Sequence, residues 1–271
     1  MISRIRKRLK WEIYQKPGRL RYYLKLFKYK PTRYKESFIT KKPVGQLTNN
    51  SKVEEKIYCF WTGNNPMSVT RAKCLESMYK NMEIEIVLIT PENLEHYILP
   101  NAPLHPAYTF LSNVHKSDYL RTYFMHHYGG GYADIKLHKN SWKPFFDKIN
   151  SSGKNIYGIG YGELSSGGVV QLKGKIVNDL RSNYRYILGN GAYIMKPRTP
   201  FTEEWINELH TRLDRKIKQL QKHPGNIMGD NPNYPLGWTE ILGAVFHPLT
   251  LKYHNFFLRD PKLRHINAPY R

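Results

Sequence analysis

The chain predicts an α/β fold: a Rossmann-like, mixed but mostly parallel sheet flanked by helices. Three observations lead there. Continuous apolar runs at 57–61 and 84–89 read as short strands buried on both faces, the habit of a parallel sheet covered by helices. Helical patterning follows each run, and β-α-β-α order is the mark of such a sheet. A length of 271 residues suits one α/β domain with a substantial core. The expected division is a basic segment and linker over 1–50 and the folded domain over 51–271.

Charge sets the first segment apart. Lys and Arg number 43 against 21 Asp and Glu, a formal net charge of +22. Residues 1–36 hold thirteen Lys or Arg and two Glu, so half the net charge lies in about an eighth of the chain. Trp11, Tyr14, Leu20, Tyr22, Tyr23, Leu24, Leu26 and Phe27 are interleaved with those cations. Such a mixture suits a helix lying on an anionic membrane surface; it also reads as a solvated basic tail or as a helix packed on the domain. No apolar run reaches the roughly 20 residues that span a bilayer, and no signal-peptide pattern follows the basic start. The expected location is therefore cytoplasmic, peripheral on the inner face of the cell membrane. Cys59 and Cys74 form neither a CxxC pair nor a zinc pattern and read as small core residues in a reduced compartment.

Along the domain, the run 57–61 ends at Thr62-Gly63-Asn64-Asn65-Pro66, a strand feeding a loop. In open α/β sheets, ligands bind beyond the carboxyl ends of strands, which places Trp61 and Thr62 for ligand contact unless Trp61 is only core. Ser68 is a cap for a helix to about residue 80 with Ala72, Leu75, Met78 and Tyr79 inward. A second strand covers 83–90, with a short helix after Pro91. Trp142, Pro144, Phe145 and Phe146 form a packing corner, and Gly158, Gly160 and Gly162 mark a strand closely approached by another backbone. Residues 163–183, polar and glycine-bearing, read as a mobile loop on the acceptor side. A strand over 186–195 is interrupted at Gly189-Asn190-Gly191, and a helix over 201–222 carries the stripe Phe201, Trp205, Leu209, Leu213, Ile217 and Leu220. Turn residues after Met228 deliver Glu240 into the first turn of a short apolar helix, where an acid either has a chemical role or simply complements the helix dipole.

Residues 115–139 hold the densest chemistry. Leu120, Tyr123, Phe124 and His127 recur on one helical face, while Asp118 and Arg121, three apart, share another. Gly129, Gly130 and Gly131 stop the helix and permit a sharp reversal. In the strand that follows, Asp134 and Lys136 alternate with Ala133, Ile135 and Leu137, so a carboxylate and an ammonium project from one face.

The series Lys116-x-Asp118-x-x-Arg121 and Tyr128-Gly-Gly-Gly-Tyr132-x-Asp134 resembles the donor-binding segment of DXD-motif glycosyltransferases of GT-A fold, in particular the capsular and lipopolysaccharide transferases related to the initiating α-mannosyltransferases. The similarity extends from about residue 55 to 250, through 57–63, Leu188–Ala192 and Tyr234–Gly243. The resemblance implies transfer of a sugar, with retention, from a nucleotide-sugar donor to a glycan or lipid-linked acceptor of a bacterial surface polysaccharide. It implies a donor site at Trp61, Thr62, Asp118, Arg121, Gly130, Gly131 and Asn190, with Asp134 carrying the metal or the sugar; Lys136, on the same strand face as Asp134, and Glu240 are the further candidates for the chemistry.

One departure stands out: Lys136 occupies the position of the family's second acid. Two carboxylates at i and i+2 reach one Mn or Mg ion through oxygen ligands; an Asp and a Lys do not. Either a divalent cation is kept on Asp134 with help from elsewhere, His247 being the candidate, or the ammonium replaces the metal. The rival class is a nucleic-acid-binding protein, since a pI near 9.8 with interleaved aromatics is its footprint too. That class does not require Asp118, Asp134 or Glu240, and no nucleic-acid partner is expected; a third reading is an inactive scaffold that keeps the GT-A fold.

Overall fold

The computed structural model describes residues 14–35, 37–43 and 52–266. Expectations for residues 1–13, for the linker from 44 to 51 and for the last five residues lie outside them. The strands are β1 (Lys56–Phe60), β2 (Glu85–Ile89), β3 (Gly130–Ala133), β4 (Gly158–Gly162), β5 (Leu188–Met195) and β6 (Phe257–Arg259), in the order β2-β1-β3-β5-β4-β6. β5 runs against both β3 and β4, and every other pairing is parallel. The helices are α1 over residues 14–23, then α2 (Val69–Asn81), α3 (Asn113–His127), α4 (Lys143–Asn150), α5 (Lys175–Ser182), α6 (Pro200–Lys222) and α7 (Gly243–Lys252).

Alternation along the strands divides the interior into two layers. Tyr58, Phe60, Tyr132, Tyr193 and Met195 meet the apolar faces of α3, α6 and α7 on one side. Ile57, Cys59, Ala133, Ile159, Ala192 and Ile194 meet Met78 of α2 and Phe146 of α4 on the other. Both cysteines are free and buried. Local chemistry fixes the helix starts: Ser68 accepts from the Arg71 N–H, Ser112 from that of His115, and Thr199 forms a capping box with Thr202 ahead of Pro200.

The structure departs from the sequence reading at several places. On α2 the inward residues are Cys74 and Met78, while Ala72 and Tyr79 are exposed, because the helix is rolled by about one residue on the sheet. α3 is buried almost all round, including Tyr119, Thr122 and Met125, since α6 covers the side that the spacing had left to solvent. β5 runs as one strand from Leu188 to Met195, and the interruption expected at Gly189–Gly191 is seen in its pairing: the register with β4 shifts between Gly160↔Tyr193 and Gly162↔Leu188, and the register with β3 ends at Ala192. The stretch read as a mobile loop contains α5, which buries Ile176 and Leu180. α7 begins at Gly243, so Glu240 lies in the preceding turn.

The described part of the basic segment packs on the domain. Phe27 and Tyr34 are buried, Arg33 and Tyr34 both bond Asp179, and Tyr22 meets Tyr186 edge-on. Leu20, Tyr23, Leu24 and Leu26 face outward and are more than half exposed.

Candidate functional site

The reversed strand builds the site. Because β5 is antiparallel, its first residues lie beside the carboxyl ends of β1, β3 and β4, so one sheet edge gathers Trp61 and Thr62, Asp134 and Lys136, Asn190, and the residue after β4, Glu163. β3 stops at Ala133, and Asp134 sits just beyond it, its N–H donating to the Gly191 carbonyl at 2.8 Å. Gly191 lets the two chains close: a Cβ there would meet the His265 ring at 2.9 Å and Asp134 Oδ2 at 3.1 Å.

Asp134 is the hub. Oδ1 accepts from the Tyr132 hydroxyl at 2.6 Å and lies 3.4 Å from the Arg121 guanidinium; Oδ2 lies 2.8 Å from Lys136 Nζ. Arg121 is held at three further points, 3.6 Å from Asp118, 3.3 Å from the Asn190 carbonyl as donor, and face-on to the Tyr132 ring at 4.5 Å. Its Nε is buried with no hydrogen-bond partner among the described residues. Burial opposes ionisation of Asp134, but the charges of Arg121 and Lys136 and the hydrogen bonds outweigh it and hold the carboxyl well below the usual range. Asp118 is pushed up to about 6, by burial first and by Asp134, with Arg121 pulling the other way.

These groups open into a cavity of about 330 Å³. Trp61 forms one wall, its indole N–H donating to the Asn65 carbonyl at 2.8 Å; Thr62 donates to the Asn113 carbonyl at 2.6 Å. Arg71 reaches in from the first turn of α2, donating to the Ile135 carbonyl at 2.8 Å. Ile227, Met228 and Trp238 form the opposite rim, and their segment is tied to the start of α3 where Asn226 and Ile227 carbonyls accept the Asn113 and Val114 N–H groups. The cavity thus offers one aromatic wall, three cations and one carboxyl, Asp134, with Asp118 behind Arg121.

Of the residues singled out in the sequence, Trp61, Thr62, Arg121, Asp134 and Lys136 line this cavity, with Asp118 directly behind Arg121. Gly130 and Gly131 do not: they sit inside the sheet, where a Cβ would meet the Lys56 carbonyl at 2.9 Å or Ile57 at 2.8 Å. Asn190 lends only its carbonyl to Arg121 and turns its side chain to the far side of Asp134. Glu240 bonds within its own turn, accepting from the Gly237 N–H at 2.8 Å, and does not line this cavity. His247 is buried against Glu163, at 4.0 Å, not against Asp134. Sequence reasoning missed Arg71, Trp238 and Glu163. An acid or arginine directly after a strand or in the next helical turn was the available signal.

A divalent cation does not fit the residues present. Both oxygens of Asp134 are engaged, an ammonium stands where a second ligand would be, and no group of three His, Cys, Asp or Glu among the described residues could hold a metal.

Comparison with known proteins gives three findings. A family model described as capsular polysaccharide synthesis protein matches residues 19–152, a span that includes β1, α3, Asp134 and Lys136. No curated protein matches the chain. Among solved structures, the chain is similar to one titled PaToxG Glycosyltransferase, at 12% identity and a TM-score of 0.40, over 74% of this chain and 67% of that one.

Proposed function

We propose that the protein is a glycosyltransferase of surface-glycan synthesis that takes its sugar from a nucleotide donor. The observation that carries this reading is the Asp118, Arg121, Asp134 and Lys136 cluster at the end of β3, opening beside Trp61 and Arg71. The match to the capsular polysaccharide synthesis family over 19–152 supports it.

In this reading the base lies against Trp61 and the diphosphate against Arg71, Arg121 and Lys136. Three cations against one lining carboxyl, with Asp118 behind Arg121, leave the cavity positive, which suits a ligand that gains negative charge as its glycosidic bond breaks. A unit charge about 4 Å away is worth roughly 4 kcal/mol at an effective dielectric near 20, enough for fixed cations to matter to a leaving diphosphate. Asp118 and Asp134 keep Arg121 in one orientation. The acceptor oxygen bonds the anomeric carbon as the bond to the diphosphate breaks, and the acceptor proton passes to the departing phosphate. Attack on the face the diphosphate leaves gives retention, the outcome the family resemblance implies. The same resemblance assigns a GT-A domain and a glycan or lipid-linked acceptor, and the exposed rings and cations of α1 suit a protein held at the cytoplasmic face of an anionic membrane.

A thermal-shift screen against UDP, GDP, CMP and dTDP sugars, with and without manganese, tests the proposal. Stabilisation by one class of donor without the ion is expected. No shift with any donor removes the reading.

A further inference from the structure

The cluster at Asp134 has a second opening. Asp134 and Lys136 also line a cavity of about 430 Å³ on the other side of the β3 end, walled by Tyr161, Glu163, Ser165 and Arg264. Topology places Glu163 there: it follows β4 directly, and its N–H donates to the Ile187 carbonyl at 2.9 Å. The chain then folds back over its carboxylate, so closely that a Cβ at Gly168 would lie 2.3 Å from Oε2.

Behind Glu163 stands His247. Its Nδ1 accepts from the Val170 N–H at 2.9 Å, which leaves the ring proton on Nε2, 4.0 Å from Glu163 Oε1 and without a hydrogen-bond partner among the described residues. Burial holds His247 neutral, with its pKa down at about 3, and pushes the Glu163 carboxyl up to about 7, with Arg264 opposing. The Asn190 side-chain oxygen is likewise buried and has no hydrogen-bond partner among the described residues. This second cavity therefore pairs two cations, Lys136 and Arg264, with two carboxyls, and adds an amide and hydroxyls. The balance differs from the donor side, which carries excess positive charge. A polar, nearly neutral cavity lined by groups that both donate and accept fits vicinal hydroxyls better than phosphate or an acyl chain.

The geometry points to this cavity as the subsite for a hydroxyl-bearing sugar unit of the acceptor, with Glu163 hydrogen-bonding that sugar and His247 positioning Glu163. The inference rests on the transferase reading and deepens it: a transfer needs two ligands meeting at one point, and Asp134 with Lys136 is the wall the two cavities share.

The test uses the full chain and the nucleotide sugar that stabilises it. Release of nucleotide from that donor is followed with and without methyl glycosides of glucose, galactose, mannose and N-acetylglucosamine at high concentration. At least one glycoside should accelerate release by the parent. In Glu163→Gln, and in Leu164→Trp at the exposed rim of the cavity, the acceleration should fall by about tenfold or more, while the donor-induced thermal shift stays as in the parent. His247→Gln should raise the KM for the glycoside more than it lowers kcat. If no donor shifts the parent, the transferase reading fails and takes this inference with it. If the donor binds but no glycoside accelerates release, or both cavity variants respond like the parent, only the acceptor subsite is overturned.

Discussion

Asp134 makes contacts that no neighbour could replace: a phenol, a guanidinium and an ammonium converge on its two oxygens. Removing it would leave Arg121 and Lys136 facing each other across a buried space, so under the proposed function Asp134 holds two cations where the donor diphosphate would lie. Asp118 is further back. Its carboxyl, pushed up to about 6, touches the ligand only through Arg121. Asp118→Asn keeps size and hydrogen bonding but loses the charge that orients the guanidinium. Turnover should drop about a hundredfold with melting temperature little changed, measured by nucleotide release and thermal denaturation. A large fall in melting temperature with activity per folded molecule intact would make the pair structural. Lys136 gives the sharper comparison. Lys136→Asp places a second carboxylate two residues from Asp134 and removes the ammonium that occupies the ligand position. The variant should need manganese or magnesium for any transfer, whereas the parent retains transfer in chelator. A parent silenced by chelator would show that Asp134 recruits a cation in spite of Lys136.

Among the elements, β5 has the largest consequence, because its reversal delivers Gly191 and Asn190 to the end of β3. Gly191→Ala would drive a methyl into the space between Asp134 and the His265 ring. Activity should fall by about tenfold or more as Asp134 shifts from Lys136, while the far half of β5, paired with Gly130 and Gly131, keeps the sheet intact. Wild-type rates in that variant would show that the close approach is unimportant. This element also shows how far the sequence was readable. The i, i+3 spacing of Asp118 and Arg121 and the i, i+2 spacing of Asp134 and Lys136 are local, and both survive in the structure. The buried strands were equally plain from their apolar runs. What sequence spacing could not carry was strand direction. Nothing local distinguishes a parallel from an antiparallel β5, yet that choice brings Glu163, after β4, to the same edge. Arg71 was hidden for a similar reason, since its value depends on the roll of α2, which packing against β1 and β2 decides. Glu240 misled because an acid near a helix start reads the same whether it caps a turn or meets a ligand.

For the whole molecule, two charge distributions govern behaviour. The first is on the outside. α1 and the strand of chain after it are pinned by Phe27, Tyr34 and the Arg33 to Asp179 pair, yet turn Leu20, Tyr23, Leu24 and Leu26 outward among exposed Lys16, Arg19, Lys25 and Lys28. Replacing those four apolar residues with serine should cut binding to acidic liposomes by at least about tenfold without loss of fold, as each is more than half exposed and none belongs to either core cluster. Equal binding by that variant would remove the membrane assignment. The second distribution is inside, where histidines and carboxyls are buried with opposite effects on stability. His126, His138, His210, His247 and His254 are held neutral, chiefly by burial, with pKa values down at about 3 for His247 and about 4 for the other four. The unfolded chain takes up their protons near pH 6.5, so their contribution is complete above that pH and is lost as pH falls towards 4. Asp118 and Glu163 are raised to about 6 and about 7, so the folded state holds their protons longer; what they contribute is present below about pH 4 and is lost as pH rises through those values. Near pH 5 those five histidines favour protonation of the unfolded chain and the two acids that of the folded one. Stability should therefore climb with pH there and level off above about pH 7, where the histidines of the unfolded chain have lost their protons. Glu163→Gln removes one of the two opposing protons, so its denaturant-derived stability should climb more steeply than the parent's between pH 5 and 6, by about 1 kcal/mol per pH unit. An unchanged slope would mean that the Glu163 carboxyl ionises in its ordinary range, and that the polarity of its cavity at neutral pH is that of a full negative charge.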